Sequence, residues 1–423
     1  MDKPSKPVKR RRVFHIPGYD PMPPRRYREL YRSESKRQAE ISGYEIDIKA
    51  RIGGRSSGWF AAAKIDGTSV ASRIDVLVWS DIVQDSMAQS IAATYWQLLQ
   101  TAWVYISTGT LRRLMWMRKG PVIAALYPVA MLLGQLVLAL GLGWLISGSL
   151  RAGVSWLHTL IGPATVSTGV LWFGVALKYL VFGVVSATVL RWFKSIDNKL
   201  FAYYLMHDYA FSARGAGRIP APLDARMAQF GAMIEEALQD DVDEVLVVGH
   251  SSGAHIAVTV LADLIRAGKV TKSGPKLAFL SLGQVIPMVS FLPHATRIRS
   301  DLAFLAAQDA ITWVDVSAPG DGCCFALCDP VAVTGVAPTG KRWPLVISAA
   351  FSQSLTAHRW KSLRWRFFRL HFQYLCAFDR PKDYDYFQIT AGPVLLRDRF
   401  AGRPPSQSRI DVAVSKYTAI TPQ

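Results

Sequence analysis

The sequence predicts an α/β protein: a mostly parallel sheet with helices on both faces, interrupted by a two-helix transmembrane hairpin. Three observations predict it. Short apolar strand patterns alternate with helical patterns along much of the chain. A valine-rich run at 245–248 enters Gly249-His250-Ser251-Ser252-Gly253 and leaves in a helical stripe. Between residues 121 and 190 the composition turns almost wholly apolar.

Composition bounds the function. The chain has 423 residues, of which 50% are hydrophobic and only 19% charged, with a net charge of +18. That surplus suits nucleic acid or an anionic membrane face. No nucleic-acid-binding signature is visible, and the apolar segments favour the membrane, so a lipid bilayer is the expected partner. Cys323, Cys324, Cys328 and Cys376 form no CxxC pair and match neither a zinc site nor a disulfide framework. They read as reduced thiols on the cytoplasmic side. No metal and no cofactor is called for.

Taken in order, residues 1–12 form a basic tail with no signal-peptide core, expected to be loose and to lie on anionic headgroups. A short strand at 13–16 ends at Pro17-Gly18-Tyr19. A helix is predicted at 24–39, strands at 44–52, 58–65 and 73–79, and a helix at 81–105. Residues 121–146 carry no charge, more than the roughly 20 needed to cross a bilayer core. A second apolar stretch at 163–190 carries one, Lys178. A mid-membrane lysine costs about 2.5–3.5 kcal/mol, which the leucines, valines and phenylalanines around it offset at about 0.3–0.6 kcal/mol each. It could also snorkel or meet Gln135.

Arg112, Arg113, Arg118 and Lys119 precede the first span, and Arg191, Lys194 and Lys199 follow the second, whereas the intervening loop has only Arg151. The positive-inside rule puts both flanks in the cytoplasm. Two spans return the chain to the side it left, so its two flanks can form one domain. Helices are predicted at 197–209, 222–238, 254–267 and 359–378, strands at 277–282 and 311–317 and, less clearly, at 344–350, and a loose polar tail after 398.

Ser251 stands at the apex of a strand–turn–helix. The pentapeptide alone is weakly specific; the strand before it and the helix after it are what the motif requires. Gly249 and Gly253 fit a turn too tight for side chains. A serine needs a base in hydrogen-bond reach, an acid to orient the base, and donors for the oxyanion. Asp321, just past the strand at 311–317, is the first candidate acid, Asp329 the second, and Asp315, inside that strand where alternation points it away, the third. His371 is the first candidate base and His358 the alternate. The backbone amides of Ser252 and Tyr19 are the candidate oxyanion donors, with Gly18 allowing close backbone approach.

This order of oxyanion loop, serine elbow, acid and histidine resembles the α/β-hydrolase superfamily, which includes lipases, esterases and thioesterases. The resemblance covers roughly residues 13–79 and 224–387 and rests on Pro17-Gly18-Tyr19, Gly249-His250-Ser251-Ser252-Gly253, Asp321 and His371. It implies a Ser-His-Asp triad and acyl-enzyme hydrolysis without a metal. Two features depart from the family pattern: the membrane hairpin between the oxyanion strand and the elbow, and the helical, arginine-rich setting of His371. The expected layout is a tail at 1–12, the hydrolase domain at 13–118 and 193–398, the hairpin at 119–192, and a tail at 399–423. The expected function is membrane-anchored cleavage of a lipid or lipid-like acyl ester on the cytoplasmic side. The alternatives are a non-catalytic membrane scaffold of the same fold and acyl transfer through the same triad.

Overall fold

A computed structural model of the chain describes residues 6–51, 57–87, 89–161 and 168–421. Its strands are β1 (Arg10–Ile16), β2 (Glu45–Ala50), β3 (Ser57–Ile65), β4 (Thr68–Val76), β5 (Glu244–His250), β6 (Lys276–Leu282), β7 (Ile311–Ser317) and β8 (Leu345–Ser348). They form one sheet in the order β2-β3-β4-β1-β5-β6-β7-β8. Every neighbouring pair from β4 to β8 is parallel, whereas β3 runs antiparallel to β2 and β4. The reversal from β3 to β4 is made by Asp66-Gly67, both at positive φ, the pairing a tight hairpin demands.

The chain divides into two compact units: Met1–Ser86, Trp103–Ala124 and Ser212–Gln423 in the first, Met87–Ala102 and Ala125–Phe211 in the second. The first holds the sheet. Every residue of β5 is buried, as are all but the first of β1 and β6. Strands buried throughout need a layer on each face. Helix Arg25–Ser42 supplies Tyr27 and Tyr31 to a cluster with Val13, Leu246 and Val248. Helix Gly253–Arg266 packs along β5 and β1 outside that cluster, beside helices Ala221–Leu238 and Thr296–Ala306.

Several elements depart from the sequence pattern. β1 starts at Arg10, not residue 13, so the end of the expected tail belongs to the sheet. Arg11 is fully buried: its Nε lies 2.6 Å from Glu244 Oε2, and its other nitrogens donate to the carbonyls of Gly392 and Val394 at 2.6 and 2.8 Å. β4 runs from Thr68 to Val76 rather than 73–79, and its first two residues are polar and not buried. The helix expected at 81–105 is two, Ser80–Met87 and Ile91–Ser107. The pattern at 359–378 breaks into Ala357–Leu363, Phe367–His371 and a 3-10 turn at Phe372–Leu375. The polar tail is pinned rather than loose: the Ile410 amide donates to Leu327 O at 2.7 Å, Arg299 Nε to Ala419 O at 2.8 Å, and Val414 is buried.

Helices Lys119–Ile161 and Thr168–Ser195 contain the two apolar stretches, Lys119–Trp156 and Trp172–Ser195, each long and apolar enough to cross a membrane. Pro163, where the second span was expected to begin, lies outside the described residues. The helices approach closely at small residues, as membrane helices do. A Cβ on Gly143 would stand 2.5 Å from Ser186 Oγ and 2.9 Å from Phe182 O. Ser186 Oγ donates to Ala139 O at 3.2 Å. Outward, Val137, Trp144, Trp172, Phe173 and Leu180 are exposed. Gln135 does not meet Lys178. Its amide atoms are buried with no hydrogen-bond partner among the described residues, and Lys178 Nζ lies 5.9 Å from the Tyr179 ring centroid.

Removing one partner of a buried ion pair strands the other charge and costs about 3–5 kcal/mol. Glu244→Gln or Arg11→Met should each lower stability by that order in denaturant titrations of the purified protein, and replacing both by methionine should recover part of the loss.

Candidate active site at the strand ends

Parallel strands deliver their C-terminal ends to one edge of the sheet. In register, Ile16 lies beside Gly249, Gly249 beside Ser281, and Leu282 beside Val316. The chain leaves β5 at His250 and enters its helix at Gly253. Between them Ser251 takes φ 54°, a left-handed conformation costly for a residue with a β-carbon. Its amide donates to Leu282 O at 2.9 Å and its carbonyl accepts from the Ala254 amide at 3.1 Å. Contact explains the flanking glycines. A Cβ on Gly253 would stand 2.1 Å from Ile16 O, and one on Gly249 2.8 Å from Ala254 Cα. A Cβ on Gly18 would stand 2.9 Å from Ser251 Cβ. The loop carrying Tyr19 therefore lies directly beside the serine. Tyr19 is buried, its hydroxyl sharing a 2.5 Å hydrogen bond with Ser86 Oγ. Ser252 is the N-cap of the helix, where backbone amides lack intrahelical acceptors.

His371 and Asp321 meet. His371 Nδ1 lies 2.7 Å from Asp321 Oδ2, with both residues buried. A carboxylate only accepts, so Nδ1 carries the proton. Nε2 is buried and has no hydrogen-bond partner among the described residues. The Cε1 atom between these nitrogens would stand 3.1 Å from a Cβ on Gly283, the residue after Leu282 whose carbonyl holds the Ser251 amide. The ring therefore lies beside Gly283, but among the described residues no hydrogen bond joins Nε2 to Ser251 Oγ.

The pair is held from several sides. Asp321 Oδ1 accepts the Cys323 amide at 2.9 Å, and Oδ2 also accepts the Tyr374 hydroxyl at 3.0 Å. Tyr374 in turn accepts the Ala318 amide at 2.9 Å. Burial pushes the Asp321 carboxyl up, but the charge of His371 and the hydrogen bonds from His371 and Cys323 outweigh it and hold the acid below its usual range. Burial, then the Asp321 charge, drives Tyr374 well above its ordinary value, so it stays a donor. His250 Nε2 donates to the His371 carbonyl at 3.0 Å, and the two rings lie 4.7 Å apart. Burial and the neighbouring His371 keep His250 well below the ordinary histidine value, and therefore neutral.

The alternates stand elsewhere. Asp329 caps the short helix Pro330–Val333 through the amides of Val331 and Ala332, and its other oxygen lies 2.5 Å from Lys341 Nζ. His358 is exposed on helix Ala357–Leu363. Asp315 sits inside β7, hydrogen-bonded to Ser281 and raised to about 8 by burial. Sequence reasoning missed Tyr374 and Gly283. Tyr374 lies three residues after His371, one helical turn on, and Gly283 directly follows a strand; both cues were legible. Asp321, Cys323 and His371 also offer metal-ligand atoms within 4.8 Å of one another. A cation there would have to break the hydrogen bond that two of them already share.

No family model matches this sequence, and it matches neither a curated protein nor a solved structure.

His15, at the end of β1, is buried with both ring nitrogens unpartnered among the described residues, and burial lowers it to about 3. Its unfolded value is 6.5. Above pH 6.5 both states are neutral, and below it only the unfolded state takes the proton. Stability should therefore fall as pH drops from about 6.5 toward 3, by about 1.4 kcal/mol per pH unit from this residue. Denaturation midpoints for His15→Leu against wild type should differ by that slope.

Proposed function

We propose that the protein is a membrane-anchored serine hydrolase of the α/β-hydrolase type, cleaving the acyl ester of a lipid or lipid-like substrate on the cytoplasmic side. The observation that carries this reading is the hydrogen bond between Asp321 and His371. The sequence points to Asp321 by its place just past a strand and to His371 by its place after the acid, and the two lie 50 residues apart. The strained backbone of Ser251 supports it further, since such strain recurs at functional sites.

In this reading Ser251 Oγ attacks the ester carbonyl carbon while His371 Nε2 takes its proton. Asp321 holds Nδ1–H and stabilises the imidazolium. The amides of Ser252 and Tyr19 receive the oxyanion. Collapse of the tetrahedral intermediate breaks the C–O bond, and His371 returns the proton to the leaving alcohol. Water, activated by the same imidazole, then releases the acid and restores Ser251.

A lipid substrate is favoured by what covers the acid's loop. The Trp360 ring would stand 2.5 Å from a Cβ on Gly320, and the Phe367 ring 3.4 Å from one on Gly322. A Cβ on Gly120, at the start of the first long apolar helix, would stand 3.7 Å from Gly322 Cα. Trp365 beside them is exposed, with the Arg364 guanidinium 5.5 Å from its ring centroid.

Purified protein should react covalently with a fluorophosphonate probe and turn over long-chain esters, and Ser251→Ala should do neither. Equal labelling of the two proteins would remove the serine from the chemistry. Asp321→Asn leaves the imidazole in the wrong tautomer and should lower kcat by about 10⁴-fold while leaving KM nearly unchanged.

A further inference from the structure

Helix Ile91–Ser107 contains no charged residue across its 17 positions. One stripe of it is apolar and open: Trp96, Leu99, Trp103 and Ile106 are 61%, 58%, 73% and 63% exposed. Their spacing of three, four and three residues puts them on one helical face. Up to Ala102 the other side is fastened to the apolar unit, and beyond it the buried Tyr105 donates to Met288 O at 3.0 Å. Leu98 is buried against Leu132 and Met206, Tyr95 donates to Leu132 O at 2.8 Å, and Gln97 Oε1 lies 2.9 Å from His207 Nδ1. An open face this apolar is unusual for a surface in water.

The pairing of the two long helices gives its depth. Ala139 lies beside Ser186, and Gly143 beside Phe182, in antiparallel register. Seven residues down from Ala139 and seven up from Ser186, Leu132 falls level with Phe193, next to Lys194. Lys194 Nζ donates to Gln89 O at 2.6 Å, just before the helix begins. The helix therefore starts where the basic end of the second apolar helix stops, at the level of the lipid headgroups if that helix spans the bilayer. Tryptophan and tyrosine concentrate at that level. The helix is about 25 Å long at 1.5 Å per residue, short of the roughly 30 Å hydrocarbon core.

We infer that helix Ile91–Ser107 is a third membrane-embedded element, lying in the interface with Trp96, Leu99, Trp103 and Ile106 sunk between headgroups and acyl chains of the cytoplasmic leaflet. It makes a phospholipid surface, not a protein partner, the occupant of this face. The inference rests on the bilayer part of the proposed function and not on its hydrolase chemistry.

The test uses full-length protein in nanodiscs of phosphatidylcholine and phosphatidylglycerol. Spin labels go on Leu99→Cys and Trp103→Cys, with Val137→Cys as lipid control and Lys36→Cys as aqueous control. All four sites are exposed, and the labelled unsubstituted chain supplies the background from native cysteines. The expected result is that collisions with oxygen exceed those with a water-soluble nickel chelate at 99 and 103, as at 137 and opposite to 36. Aqueous values at 99 and 103 with lipid values at 137 overturn the inference alone. Aqueous values at 137 as well overturn it together with the bilayer reading, and leave the serine-probe result untouched. Immobilised spectra shielded from both reagents at 99 and 103 mean a protein contact and also overturn it.

Discussion

The hydrogen bond between His371 Nδ1 and Asp321 Oδ2 is the interaction on which the candidate site depends. Neither partner sits in a strand. Asp321 lies on the loop after β7 and His371 at the end of a five-residue helix. Short elements far apart in sequence carry little intrinsic order, so the pair exists only because neighbours fix both ends. Tyr374 and the Cys323 amide hold the acid, and His250 holds the backbone of His371. His250 immediately precedes Ser251, so the residue that bears on the base is rigidly joined to the candidate nucleophile. Each donor also satisfies a buried polar group that would otherwise go unpaired.

The sheet separates stability from chemistry. At the N-terminal ends of β1 and β5, Arg11 and Glu244 form a buried pair whose spare groups bind the carbonyls of Gly392 and Val394 and the amide of Leu396. This ties the segment 392–396 to the central strands. At the opposite ends of the same strands, Gly253 against Ile16 and Gly18 against Ser251 bring backbones closer than any side chain would permit. One end is closed by charge and the other by the absence of side chains. The sites where a β-carbon is excluded lie beside Ser251, which keeps a β-carbon in a left-handed conformation.

In the proposed bilayer reading the apolar unit answers to a different solvent. Its helices meet through Gly143, Ser186 and Ala139 and turn tryptophan, phenylalanine, leucine and valine outward. In water that arrangement would be inverted, because burial of large side chains is what drives soluble packing. In lipid, outward leucine costs nothing and small contacts let the helices approach.

Local sequence determined what local physics determines. The period-two and continuous apolar runs marked β3, β5, β6 and β7, two long apolar stretches with a single charge between them marked the long helices, and the glycine spacing marked the bend at Ser251. Position at a strand end narrowed the acid to Asp321, Asp329 and Asp315 in that order, and chain order narrowed the base to His371 and His358. Tertiary structure decided the rest. Asp321 rather than Asp329 meets a histidine, because Asp329 is spent on capping a helix and on Lys341. Arg11 belongs to the sheet core, because its partner lies 233 residues away, where no window of hydrophobicity can see it. A side chain's pattern records which way it faces, but which distant group satisfies it is settled only when the chain has closed.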